Sequence, residues 1–470
     1  MGGIVANDST PERIAQARRR TADAREKIGA WFKTYKGRDL QRQYETQLET
    51  LKSQIDFLLG KIETEIDVIR LAGGSLGVYA KSRLLERRLL WVWRLFAYFQ
   101  SKFDQRQDDQ YKGLLAAADE IMWSCYMQPF RWARVEKYPP HPLPFLTNAY
   151  SPYAIPREEP PVELRSDVDA AFLTEMLRQM PIPVTGVQSL ALEEPWWLAY
   201  LAHESGHHVQ FDFDGGSLVE SFEQTLYDVG GSRWAGWSKE LFADVYSLLM
   251  IGPWALWALA ELVWEDRAGM LSDANPRYPS PLVRLIFMKD VASQLGLDGM
   301  AALRGFSVDD ILKPGPVYSR TRDLCETAEG DLKQSASVAK AVVEQRFCDF
   351  GTLAEITEFD KMDFQPAGYA YLWGEVFRGR SNLLPEKRIR SSRLVLGGGV
   401  RAWSEISAIP DDEERARHRT QLSQTLTARI IEDREEIVRE AAETDKVDLG
   451  RRNNELAELL FSDRMPRPGW

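Results

Sequence analysis

Pro195-Trp196-Trp197-Leu198-Ala199-Tyr200-Leu201-Ala202-His203-Glu204-Ser205-Gly206-His207 reads as a helix that carries chemistry on one face. Pro195 suits a first helical position, where its missing N–H costs nothing, and Glu193 and Glu194 lie at the positive end of the dipole. No breaker follows until Gly215-Gly216. Four residues advance a helix by about 400° and about 6 Å, so His203 and His207 point the same way one turn apart and can share one cation. Glu204 is offset from that face, which lets it reach a water on the cation without taking a coordination position. The chain has five histidines, and three of them fall between 203 and 208.

H-E-x-x-H is a zinc-binding pattern in which the glutamate handles a proton. A catalytic zinc needs a third protein ligand and one open position. Gln210 and Phe213 stand where a third histidine with its preceding glycine would be required, so the ligand must come from elsewhere. Downstream, Glu240 and Asp244 share a helix face, while Leu241, Phe242, Val245, Leu248 and Leu249 form the apolar side. Two carboxylates in so apolar a helix are costly unless something cationic compensates them. On the residues alone, Asp212, Asp214, Glu220 and Glu223 remain competitors for the third position.

With H-E-x-x-H followed by E-x-x-x-D on a second helix, the chain resembles the gluzincin branch of zinc metallopeptidases over about a tenth of its length. The resemblance implies a zincin-like core. It implies His203, His207 and Glu240 as zinc ligands, Glu204 as general base, and Asp244 as the acid that orients a ligand histidine. It also implies a protein or peptide substrate.

Other candidates are less specific. Ser280 and Pro281 are expected to open a further helix, with Ser280 as N-cap. Arg284 or Tyr278 near its start can donate to an oxyanion, and the plainer reading of Arg284 is a surface salt bridge. His208 lies about 100° round the helix from His207 and is expected to pack or face solvent. His141 and His418 read as solvated.

Composition bounds the partners. The chain has 470 residues, 44% hydrophobic and 27% charged, and a net charge of −11, which argues against a nucleic-acid partner. Arg18-Arg19-Arg20 reads as a solvated helix face. Three scattered cysteines form neither a disulfide framework nor a metal motif, and no secretory signal is visible, so a cytoplasmic location is expected. Val245–Ala260 is uncharged but short and interrupted by Gly252-Pro253, so it reads as core and no membrane association is expected.

The expected fold is mainly α, a zincin-like core with little or no β-sheet plus a long N-terminal helical hairpin. Residues 1–137 form the hairpin, with a seam at Leu40, Tyr44, Leu48, Leu51, Ile55, Leu58, Ile62, Ile66 and Ile69, a turn at 72–77 and a second helix over about 81–110. Residues 138–164, with eight prolines between Tyr138 and Pro161, are a linker or strap. Residues 165–298 hold the metal-binding core, where Ile182–Leu190 reads as a short edge strand of the kind that pairs with extended substrate in zincins. Residues 299–410 read as mostly helical, with Gly397-Gly398-Gly399 as a turn. Residues 411–470 are a charged helix, with Leu422, Leu426 and Ile430 on one face, followed by a polar tail. These features favour an intracellular zinc-dependent peptidase that resembles bacterial enzymes cutting a specific protein, with the N-terminal helices as a candidate surface for that partner. The alternative is a helical interaction or scaffold protein with a structural or non-proteolytic zinc. The hairpin motivates it, whereas the absence of cysteines near the motif and the presence of Glu204 speak against it.

Overall fold

The computed structural model describes residues 10–35, 39–71, 75–135, 141–155, 164, 182–272, 275–298, 302–303, 311, 319–381, 385, 392–432 and 446–461. The fold is mainly helical, as expected. In the N-terminal part, α1 (Thr10–Tyr35), α2 (Asp39–Leu71) and α3 (Ser75–Asp104) pack on one another. The seam of α2 is buried from Tyr44 to Ile69, and Trp91, Phe96 and Phe99 of α3 close over it. The expected two-helix hairpin is therefore part of a larger bundle; residues 72–74 of its turn lie outside the described residues. Trp31 and Tyr35 of α1 both donate to Asp104 at the end of α3, at 2.8 and 2.7 Å. Arg18 and Arg20 pair with Asp67 and Glu86 at the exposed rim, contacts of small energetic weight.

Near the other end of the chain, Lys446–Phe461 is a helix with Leu456, Ala457 and Leu460 buried against the same bundle, which corrects the expected polar tail. Arg88 of α3 donates to the carbonyls of Leu460 and Phe461 at 3.0 and 2.9 Å, supplying partners to a helix end that lacks them.

The proline-rich stretch is more than a strap. It contributes β1 (Leu143–Thr147) and β2 (Tyr153–Ile155) to a three-stranded sheet with β3 (Val184–Gln188), ordered β1-β3-β2. β1 runs parallel to β3 and β2 antiparallel to it. The strand expected before the helix with the H-E-x-x-H motif is present, but it is central, and β1 and β2 are the edges. Gln105, just after α3, bonds both the carbonyl and the N–H of Leu146, at 2.9 and 2.7 Å. Arg106 donates to the Pro144 carbonyl at 2.7 Å. His141, expected to be solvated, is buried between Tyr44 and Trp123, with the Gln47 amide 2.8 Å from its Nδ1.

A second apolar core gathers α4 (Lys112–Tyr126), α5 (Tyr200–Asp212), α6 (Ser217–Ala235), α7 (Ser238–Ile251), α8 (Trp254–Val263), α9 (Pro281–Gln294), α10 (Ser319–Glu344), α11 (Tyr369–Phe377), α12 (Ser392–Ser407) and α13 (Asp412–Glu432). The apolar run 245–260 is two buried helices broken at Gly252, whose φ of 72° suits glycine. No helix among the described residues is long and apolar enough to cross a membrane. Leu422, Leu426 and Ile430 are buried on α13, as their spacing implied. His418 on the same helix is partly exposed, 3.6 Å from Glu414.

Gly397-Gly398-Gly399 is not a turn; it lies inside α12. A Cβ at Gly397 would stand 2.8 Å from the Ile251 carbonyl, one at Gly398 2.5 Å from the Ala370 carbonyl, and one at Gly399 2.5 Å from Leu426. The triplet lets three neighbours approach the helix backbone. This yields a paired prediction. Gly60→Ala in α2, where nothing lies within 4 Å of the new methyl, is expected to stabilise by about 0.5–1 kcal/mol. Gly398→Ala is expected to destabilise by about 1–3 kcal/mol despite the same propensity gain. Denaturant melts of the two variants check the signs.

Candidate metal centre

The helix bearing the motif begins one step later than its sequence suggests. Pro195–Ala199 is a 3-10 turn, with Trp196 and Trp197 stacked at 4.5 Å and both indoles donating to Glu194 at 3.2 Å. α5 follows directly and carries the motif in regular α geometry. Gly206, between the two histidines, faces α7: a Cβ there would lie 2.8 Å from the Ala243 Cα. That close crossing brings Glu240 onto the histidine face.

Three donors converge. Glu240 Oε2 is 3.6 Å from His203 Nε2, and Glu240 Oε1 is 3.6 Å from His207 Nε2. Among the described residues this is the cluster able to hold a metal, its ligand atoms all within 4.8 Å of one another. The separations are long for hydrogen bonds. They suit atoms that share one tetrahedral zinc, where bonds of about 2.0–2.2 Å place donors about 3.3–3.6 Å apart. Two imidazoles and a carboxylate, with one side open to a cleft, form a donor set appropriate to zinc.

The rival carboxylates lie elsewhere. Asp212 accepts from the Tyr126 hydroxyl at 2.8 Å, Asp214 pairs with Ser217, Glu220 is exposed, and Glu223 stands at the cleft rim. His208 is buried on a different face of α5, its Nε2 3.0 Å from Thr185 Oγ1 of β3.

Behind the cluster, Asp244 Oδ1 lies 3.0 Å from His203 Nδ1. Asp244 is only 1% exposed, and Arg284 compensates its charge, donating through Nε at 2.6 Å and Nη2 at 2.8 Å. Arg284 Nη2 also reaches Glu240 Oε2 at 3.4 Å. The surface salt bridge expected for Arg284 is thus a buried one. It is positioned by α9, which Ser280 caps as its sequence implied.

Burial opposes ionisation throughout this group. Arg284 nonetheless holds Asp244 below its ordinary range, and the two histidines with Arg284 hold Glu240 well below its own. Burial likewise disfavours a charged His203, but the Asp244 and Glu240 carboxylates beside it outweigh this and raise it to about 10.

Glu204 points into the cleft, 5% exposed and outside the donor cluster. Burial raises its pKa, which the two histidines and a bond from the Ala154 backbone of β2 partly offset. Tyr278, 37% exposed, lines the same cleft. Burial and the Glu240 carboxylate push its hydroxyl up to about 12. Three contributors escaped the sequence reading: Ala154, which holds Glu204; Gly206, which sets the helix crossing; and Gln210, whose amide lies 2.8 Å from His207 Nδ1. Only Gln210 carried a local signal, being three residues from His207 on the same face.

Comparison of the chain with protein-family models, with curated proteins and with solved structures finds no match, so the site stands on its own residues.

Metal analysis is expected to find one zinc per chain, lost in His203→Ala, His207→Ala and Glu240→Ala, with Asp244→Ala weakening affinity about 10–100-fold. Because His203 is protonated below about 10 in the metal-free site, zinc must displace that proton. Apparent affinity is therefore expected to climb about tenfold per pH unit around neutrality. Chelator competition at several pH values measures this, and a flat profile contradicts it.

Proposed function

We propose that the chain is a cytosolic zinc-dependent peptidase of the gluzincin kind, with a zincin-like core, acting on a protein or peptide. One observation carries the reading: Glu204 stands beside, and outside, a three-donor cluster that opens onto a cleft of about 550 Å³. A structural metal site has no use for a buried carboxylate so placed.

A zinc ion held by His203, His207 and Glu240 would supply Lewis acidity, lowering the pKa of a water towards neutrality and polarising the scissile carbonyl. Glu204 takes the proton of the attacking water and returns it to the leaving amine. The Ala154 N–H holds Glu204 during both transfers. Asp244 and Arg284 keep His203 in place, and Tyr278 is positioned to donate to charge developing on the carbonyl oxygen. β2 pairs with β3 on one side and borders the cleft on the other, which suits an extended peptide lying beside it.

The cleft also has an apolar side. Ala199 and Tyr200 precede the motif, and Ala255, Ala258, Leu259 and Leu262 line it from α8. Their spacing puts all four α8 residues on one helix face. Two alanines there leave room for a bulky apolar side chain of the substrate.

Glu204→Gln keeps shape and removes the base. Peptide hydrolysis is expected to fall about 10²–10⁴-fold with zinc occupancy unchanged. If wild type and Glu204→Gln behave alike in proteolytic and cellular assays, the scaffold alternative replaces this reading. Ala258→Phe fills the apolar side. Across a peptide library it is expected to depress kcat/KM about 10–100-fold for large apolar residues while sparing small ones.

A further inference from the structure

The two histidines of the cluster are held by different kinds of group. Asp244 is a carboxylate and can only accept, so it keeps a proton on His203 Nδ1 and turns His203 Nε2 toward the cluster. His207 is met instead by Gln210, whose amide can either donate or accept. Gln210 is fully buried at 0% exposure, its Nε2 lies 2.8 Å from His207 Nδ1, and its Oε1 is buried without a hydrogen-bond partner.

We propose that Gln210 is the positioning residue of His207, a buried amide whose half-turn selects which ring nitrogen carries the proton. With Nε2 donating, Nδ1 is the acceptor and the ring proton belongs on Nε2, the nitrogen facing Glu240. A half-turn about the Cγ–Cδ bond exchanges oxygen and nitrogen with almost no change in shape. Oε1 then accepts from Nδ1–H, and the Nε2 lone pair faces the cluster. Oε1 is the half that lacks a partner, and a metal ion on His207 Nε2 favours the half-turn that gives it one. His203 is thus oriented by a fixed acceptor, whereas His207 is oriented by an amide that can turn.

The inference rests on the zinc reading, and the test separates the two. Zinc alone is titrated into the full chain against a chelator, for wild type, Gln210→Met and Gln210→Glu. Methionine keeps length and removes the acceptor; glutamate keeps the acceptor and cannot donate. Gln210→Met is expected to bind zinc about 10–100-fold more weakly, with the melting temperature of the metal-free protein undiminished. Gln210→Glu is expected to restore at least wild-type affinity. Histidine-selective ¹⁵N labelling, tractable with five histidines, is expected to show His207 Nδ1 protonated in the zinc-loaded wild type. This measurement needs no variant to fold. Equal affinity in Gln210→Met, no rescue by Gln210→Glu, or an unprotonated Nδ1 overturns the role of Gln210 while leaving zinc in place. Wild type that takes up no zinc overturns both.

Discussion

Asp244 and Glu240 lie on an otherwise apolar helix, and a buried carboxylate without a partner costs several kcal/mol. Arg284 answers that cost from another helix, with two bonds to Asp244 and a third contact to Glu240. Much of the local architecture serves this meeting. Ser280 and Pro281 fix where α9 begins, which sets where Arg284 projects. Gly206 lets α5 approach α7 closely enough for Glu240 to reach both imidazoles. Without Arg284 the two acids would repel each other and favour neutral forms, and a neutral Asp244 would no longer be an acceptor-only partner for His203.

The donor cluster was legible because its parts are local. H-E-x-x-H and E-x-x-x-D each use the i, i+4 repeat, so each helix reveals its own pair of side chains. Arg284 lies 40 residues beyond Asp244. Its spacing says only that it follows a capped helix start, and nothing in the sequence says which helix that start faces. Ala154 was further out of reach, since it acts through a backbone N–H that has no side-chain signature.

Errors in reading the fold have the same origin. Residues 141–155 are free of helix, as their prolines implied, but β1 accepts Pro144 because β1 is an edge strand and this residue faces outward, its carbonyl engaged by Arg106 and its neighbour Leu146 by Gln105. The glycine triplet of α12 resembles a turn by composition. Its use is close helix packing, visible only once α7, α11 and α13 surround it. His141 appeared solvated among prolines, yet it fills a junction between α2 and α4. In each case a residue's meaning was set by a partner far away in sequence, whereas the periodic seams of α2 and α13 could be read directly because a helix face buries as a unit.

The sheet joins these distant partners into one frame. Gln105 and Arg106 occupy the outer edge of β1, so that side offers no free strand edge. β3 is held to one side of α5 through Thr185 and His208, and β2 touches Glu204 on the cleft side. A shift of the sheet would therefore move both the backbone that steadies Glu204 and the anchor of the helix carrying both histidines. The N-terminal bundle, which carries none of the cluster residues, sits at one end of that chain of contacts. This gives its buried apolar seam a consequence at the donor cluster: loosening the bundle would release β1 first, and the support of Glu204 through β3 and β2 after it.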